Sequence, residues 1–148
     1  AFVLVFFGPV AVGGTYYVQA LRLDGFVLLA GLAAGLFSVA ILSVNNLRDV
    51  EQDATTGKRT LAVRFGRRFA QWEYTLAILA AAGAIPIGLA LTAGKPDALA
   101  ACLTLFPATR VARVVWTKSD GPSLNNALAA TGMLLLLFAV LFSVGWNL

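Results

Sequence analysis

Five apolar stretches separated by short polar breaks set the rhythm of this chain: Phe2 to Leu21, Phe26 to Val44, Phe69 to Leu91, Ala98 to Trp116 and Leu124 to Trp146. Each approaches the roughly 20 mostly apolar residues that a helix needs to cross a bilayer. With no internal repeat and no low-complexity linker, the pattern predicts an all-α fold, a polytopic transmembrane helix bundle in which residues 1–148 form a single membrane domain. Gly8-Pro9 and Gly13-Gly14 in the first stretch would break a soluble helix, but in lipid such residues mark a kink or a close helix contact. Pro107, Arg110 and Arg113 interrupt the fourth stretch, whose basic half is expected to extend out of the hydrocarbon. The chain opens Ala1-Phe2-Val3-Leu4-Val5, already apolar and without Met or a basic leader, so we expect a piece of a longer protein.

Composition points to the same solvent. Of 148 residues, 59% are hydrophobic and 12% charged, with a mean hydropathy of +0.84, whereas soluble domains are about half apolar and about a quarter charged. An ordinary soluble domain is excluded. A single cysteine, Cys102, and the absence of histidine exclude a disulfide framework, a His/Cys zinc site and a His-dependent triad. Any metal chemistry must therefore use oxygen ligands. Cys102 itself lies in an apolar run and reads as filler.

The net charge of +4 does not read as nucleic-acid binding, because the basic residues sit in islands between the apolar runs. The first and third connections hold two cations, Arg22 and Lys95, while the second and fourth regions hold the other nine, from Arg48 through Arg68 and from Arg110 through Lys118. The positive-inside rule then places the second and fourth connections in the cytoplasm, Ala1 inside and Leu148 outside. Arg110, Arg113 and Lys118 fit a topological or lipid-headgroup role.

One polar stretch suggests a specific reaction: Ser43 through Leu61, at the cytoplasmic end of the second apolar run. If the helix continues through Asp53, then Asn45, Asp49 and Asp53 repeat every four residues and drift only about 40° per step, with Asn46 about 60° from Asp49. Carboxylates stacked one turn apart repel, and a cation held between them reverses the sign. Oxygen-only ligands favour Mg²⁺ or Mn²⁺ over zinc. Gly57-Lys58-Arg59 follows, then Arg64, Arg67 and Arg68. A carboxylate face beside flexible cations suits a diphosphate, since magnesium usually bridges carboxylates to phosphate oxygens. A plain interfacial charge cluster would account for any one of these residues, but not for the joint spacing. An EF-hand fails because Ala54 stands where glycine is required and Thr60 where glutamate is. A P-loop fails because Gly57-Lys58-Arg59-Thr60 lacks the upstream glycine.

The string Asn45-Asn46-Leu47-Arg48-Asp49-Val50-Glu51-Gln52-Asp53, continued by Gly57-Lys58-Arg59-Thr60-Leu61-Ala62-Val63-Arg64-Phe65-Gly66, resembles the second aspartate-rich motif of the UbiA-type intramembrane prenyltransferases. Within that superfamily it is most similar to the branch that prenylates 1,4-dihydroxy-2-naphthoate in menaquinone synthesis. Gly8-Pro9, Gly14-Thr15-Tyr16-Tyr17-Val18-Gln19 and Leu124-Asn125-x-Ala127-Leu128 carry the likeness through most of the chain. The resemblance implies a nine-helix bundle whose last five helices match these five stretches, in a bacterial inner membrane with the Asp-rich loop facing the cytoplasm. It implies Asp49 and Asp53 as catalytic acids, and Asn46, Asp49, Asp53 and Asn45 as ligands of Mg²⁺ (or Mn²⁺). Lys58, Arg59, Arg64 and Arg48 would contact the polyprenyl diphosphate. Tyr16, Tyr17, Gln19 and Asn125 are candidates for the aromatic acceptor or prenyl chain, and Tyr16, Tyr17, Phe37 and Trp72 for shielding an allylic cation. The family's first aspartate-rich motif has no counterpart here, since Asp24, Glu73, Asp97 and Asp120 stand alone; this piece by itself is expected to be inactive. Alternatives are another acceptor (homogentisate, 4-hydroxybenzoate or a haem precursor), or a non-enzymatic transporter or assembly subunit. Transporter acids usually sit near the membrane midplane on broken helices, whereas these lie at a helix end.

Overall fold

The computed structural model describes residues 1–148, all in helices and short connections. Five helices are long and apolar enough to cross a membrane: α1 (Phe2–Ala20), α2 (Gly25–Arg48), α5 (Arg67–Ala93), α6 (Pro96–Thr117) and α7 (Gly121–Asn147). Two short helices, α3 (Val50–Thr55) and α4 (Leu61–Phe65), lie in the connection between α2 and α5. Consecutive spans run antiparallel. α2, α5, α6 and α7 pack in a ring, each on the next, and α1 lies against α2.

α2 is the common element because its two faces differ. Ala33, Phe37, Ala40, Val44 and Leu47 alternate in steps of four and three and are completely buried, forming a seam toward the bundle. Phe37 meets Phe138 of α7 with ring centroids 5.2 Å apart. Gly31 and Gly35 face α1 instead, where Gly8 sits so close that a Cβ on it would lie 2.9 Å from the Gly31 carbonyl oxygen. Small residues let membrane helices approach at the backbone, where dispersion replaces the hydrophobic effect. The same region of α1 carries a wide turn, Phe6–Val10, with Gly8 at φ −101° and ψ −111° beside Pro9. Proline lacks the N–H that a regular turn would use, and the wide turn absorbs this. A second wide turn, Ala80–Ala84, precedes Pro86 in α5.

α6 is wound in two ways. Its basic half stays helical to Thr117, and Pro107 falls in the first turn of the α-helical part. Before it, Pro96–Thr104 is wound as a 3₁₀-helix. With three residues per turn, Ala98, Ala101 and Thr104 stack on one face, and all three are fully buried. That segment packs on α7, where a side chain at Gly145 would strike the Asp97 carbonyl. The larger 3₁₀ rise also lengthens a helix of only 22 residues to about 37 Å.

Polar groups inside the bundle are paired across helices. Thr131 of α7 donates its hydroxyl to the Ala127 carbonyl (2.7 Å), which leaves the Tyr74 hydroxyl of α5 to donate to Thr131 Oγ1 at 3.3 Å. Gln71 Nε2 donates to the Val115 carbonyl at 3.1 Å near the end of α6, and Trp116 Nε1 donates to Thr75 Oγ1 at 2.9 Å. Trp72 packs edge-on against Trp116 at this end (5.1 Å), and Trp146 meets Phe26 and Phe142 at the other. Aromatic residues at both ends are what two membrane interfaces select.

Two consequences can be measured. Gly35→Ala would push its Cβ into the Leu4 carbonyl and to 3.0 Å from Gly8 Cα, and should destabilise the α1–α2 contact by about 1–3 kcal/mol. Gly88→Ala, with nothing within 4 Å, should be neutral or stabilising; thermal unfolding compares the two. At the start of α7, Asp120 Oδ1 accepts from Ser123 N at 2.9 Å, and this bond holds the Asp120 carboxyl below its ordinary value of 3.8. A depressed acid stabilises above its unfolded pKa and loses that contribution as pH falls through its folded one. Amide protection in the first turn of α7 should therefore drop only below the usual carboxylate range, and Asp120→Asn should abolish that pH dependence while keeping the cap.

Candidate functional site

The site grows from the end of α2. Asn45 and Arg48 lie in its last turn, and Asp49 closes it at φ −96°, ψ 7°, outside helical geometry. The expected continuous helix through Asp53 is therefore two helices with Asp49 as the joint. The four-residue ladder survives the joint, since Asp49 N donates to the Asn45 carbonyl (3.1 Å) and Asp53 N to the Asp49 carbonyl (2.8 Å). Neighbouring side chains on a regular helix point about 100° apart. Leaving helical geometry at Asp49 lets its carboxylate fold back onto the adjacent Arg48.

Arg48 is the hub. Its Nε donates to Asp49 Oδ1 at 2.7 Å and its Nη2 to Asp49 Oδ2 at 2.8 Å, a two-pronged pair. Nη2 also donates to Asn45 Oδ1 at 2.8 Å, and Nη1 to Asn125 Oδ1 of α7 at 2.8 Å. All three guanidinium nitrogens are thus engaged, and Arg48 joins Asn45, Asp49 and Asn125 into one cluster. The guanidinium holds the Asp49 carboxyl below the usual value of 3.8, against the opposing effect of partial burial. Beside the cluster, a polar cavity of about 530 Å³ is lined by Arg48, Gly121, Pro122, Asn125 and Asn126.

Asp53, one turn along α3, is only 6% exposed. Lys58 reaches back to its Oδ1 at 3.1 Å, while Oδ2 is buried without a hydrogen-bond partner. Gly57, at φ 75°, makes the left-handed turn that returns Lys58 toward Asp53. Asn46 is half-buried and has no side-chain hydrogen bond, and Arg59 and Arg64 are exposed. Arg48 takes both oxygens of Asp49 and the Oδ1 of Asn45, so Asp53 Oδ2 is the carboxylate oxygen of this pair left bare, the kind of donor a hard divalent cation seeks.

The structure does not bring the other expected residues here. Gly8 of α1 meets Gly31 and Gly35, and Gly13 meets Leu28, so Tyr16, Tyr17 and Gln19 end up near the start of α2. That is about 33 Å along α2 from Asp49 at 1.5 Å per residue. Tyr16 and Gln19 instead border a cavity of about 720 Å³ walled by Phe26, Phe138, Phe142 and Trp146. Phe37 is wholly buried in the α2–α7 seam. Two residues are gained. Arg67 donates from Nη1 to the Leu47 carbonyl at 3.1 Å, at the end of α2, while its Nη2 is buried and unpartnered. Glu73, read from sequence as isolated, lies with Oε2 2.7 Å from the Ser43 hydroxyl. Arg67 stood in the basic run but nothing local separated it from Arg64 and Arg68; Glu73 carried no sequence signal.

Five membrane-length helices define an integral membrane protein, and an acid–amide–cation cluster lies at one end of its bundle. The chain belongs to the UbiA prenyltransferase family, whose profile matches residues 1–127. It is 38% identical over 144 residues to the 1,4-dihydroxy-2-naphthoate octaprenyltransferase of Haemophilus influenzae, covering 97% of this chain and 46% of that protein. It is 40% identical over 138 residues to the Mycobacterium tuberculosis protein of the same name, covering 93% and 46%. Human UbiA prenyltransferase domain-containing protein 1 is 40% identical over 72 residues, 49% of this chain and 21% of that protein. The chain thus spans about half the length of the curated relatives it matches. No solved structure matches it significantly.

The Arg48–Asn125 bond joins residues 77 apart in sequence. In the full-length protein, a double-mutant cycle of Arg48→Lys and Asn125→Ala should give a coupling of about 1 kcal/mol in thermal unfolding. A coupling near zero would show that α7 is held to the motif by other means.

Proposed function

We propose that this chain takes part in transferring a polyprenyl group from a polyprenyl diphosphate to 1,4-dihydroxy-2-naphthoate in menaquinone synthesis, with Mg²⁺ (or Mn²⁺) as cofactor. The observation that carries the reading is the buried, unpartnered Oδ2 of Asp53, four residues after Asp49 in a stretch that also holds Asn45 and Asn46 and is followed by a run of cations. The named relatives support the acceptor and the reaction class. The bacterial relatives support a bacterial cytoplasmic membrane, and the asymmetry of Lys and Arg supports this loop lying on its cytoplasmic side.

Asp49, Asp53 and Asn46 would hold the metal, with Asn45 oriented by Arg48 as a further oxygen donor. The metal, when bound, neutralises diphosphate oxygens and stabilises the charge that grows on the leaving group. Lys58 and Arg59, in the turn after α3, and Arg64 on α4 would add positive charge. Breaking the carbon–oxygen bond leaves diphosphate and an allylic cation. The electron-rich naphthoate ring attacks that cation, and the ring's carboxyl group leaves as carbon dioxide. Asn125, fixed by Arg48, stands at the polar cavity where an acceptor's oxygens could be received.

The family's other aspartate-rich motif has no counterpart among these residues, so the test uses the full-length gene product. Transfer of a labelled prenyl group to 1,4-dihydroxy-2-naphthoate in membranes should require magnesium. It should fall by roughly 100-fold or more in Asp49→Ala and in Asp53→Ala, with folding retained. Turnover that ignores magnesium or survives both substitutions would overturn the assignment.

A further inference from the structure

We propose that Arg67 is a diphosphate-binding residue, the fixed cation that faces the substrate anion while Asp53 faces its metal; this rests on the prenyl-transfer reading above. Three side-chain atoms in the whole chain are buried without a hydrogen-bond partner: Asp53 Oδ2, Arg67 Nη2 and Thr104 Oγ1. Thr104 is in the wall of α6, but the other two are ionic, opposite in sign and attached to the same junction. Asp53 sits on the short helix that follows α2, and Arg67 is anchored on the Leu47 carbonyl, two residues before Asp49.

They do not neutralise each other. The ion pairs of the chain are Arg48–Asp49 and Lys58–Asp53, and Arg67 enters neither. Leaving half a guanidinium and half a carboxylate buried and unpaired is costly, so both atoms call for a ligand with a positive and a negative part. A metal–diphosphate has both.

The other cations are less suited to the role. Arg48 has every nitrogen engaged, and Lys58 is committed to Asp53. Arg59, Arg64 and Arg68 are exposed, so each must lose side-chain freedom on binding. Arg67 has lost it already. One nitrogen caps the negative end of the α2 dipole, where a cation is favoured, and Gly66 at φ 85° makes the sharp turn that starts α5 at this residue. A cation held before the substrate arrives stabilises it without reorganisation.

The test separates this role from simple capping of α2. Purified full-length protein in lipid nanodiscs is melted with and without magnesium and inorganic pyrophosphate, for wild type, Arg67→Gln, Arg67→Lys and the distant control Arg113→Gln. Pyrophosphate should raise the Tm of wild type and the control, fail to do so in Arg67→Gln, and do so partly in Arg67→Lys. The KM for polyprenyl diphosphate should rise about tenfold in Arg67→Gln, with Arg67→Lys between. If Arg67→Gln does not fold, the reduced shift and raised KM of Arg67→Lys decide. A lower baseline Tm with an undiminished pyrophosphate shift and unchanged KM would make Arg67 a helix cap only and overturn the proposal. A wild type that neither responds to magnesium pyrophosphate nor transfers a prenyl group would instead overturn the prenyl-transfer reading, and this inference with it.

Discussion

In hydrocarbon there is no water to bond a peptide group, so each backbone donor and acceptor has to be satisfied within the protein. Here 98 of 114 backbone hydrogen bonds lie within helices, and two of the three stretches of irregular winding lie where another helix presses close. The wide turn at Gly8-Pro9 lies against Gly31 and Gly35, and the 3₁₀ segment of α6 lies against Gly145. At these two places tight backbone approach and irregular winding occur together. Dispersion between closely packed helices is the force left to hold a bundle in lipid, and these small residues are what allow it.

The same constraint explains where the chemistry sits. Charges are tolerated cheaply only at the membrane boundary, and the longest polar run follows the end of α2, the helix that touches α1, α5 and α7. A site at the end of the most connected helix inherits its rigidity. Arg48 extends that rigidity sideways: its bonds to Asp49 and Asn125 tie the motif to the first turn of α7, whose own start is set by Asp120. The cluster is therefore prearranged, while Asp53 Oδ2 and Arg67 Nη2 are buried without a partner.

Relatives that share the chain's sequence at 38–40% identity over nearly all of it are about twice as long. The four-helix ring of α2, α5, α6 and α7, with α1 against its edge, is nonetheless a self-consistent packing unit with its own buried seam.

Hydropathy located all five spans, because lipid rewards the same apolar run wherever its neighbours are. It placed the end of α2 at Val44, short of the Arg48 observed, since Asn45 through Arg48 are polar yet remain helical at the interface. The spacing of Asn45, Asp49 and Asp53 was likewise legible, being local. Tyr16, Tyr17 and Gln19, candidates for the acceptor or prenyl chain, lie away from the acidic motif because antiparallel spans put the end of α1 opposite the end of α2. Composition and periodicity determined the solvent, the number of spans and the kind of donor atom available, since these depend on residues taken singly or a turn apart. Which charges are spent and which are left open was decided only by the tertiary structure. Arg48, Arg64 and Arg67 look alike in sequence, and only contacts with Asn125 across 77 residues and with the Leu47 carbonyl across 20 distinguish a strut, a free cation and a half-anchored one. Partnership and burial belong to pairs of elements, and no single segment carries them.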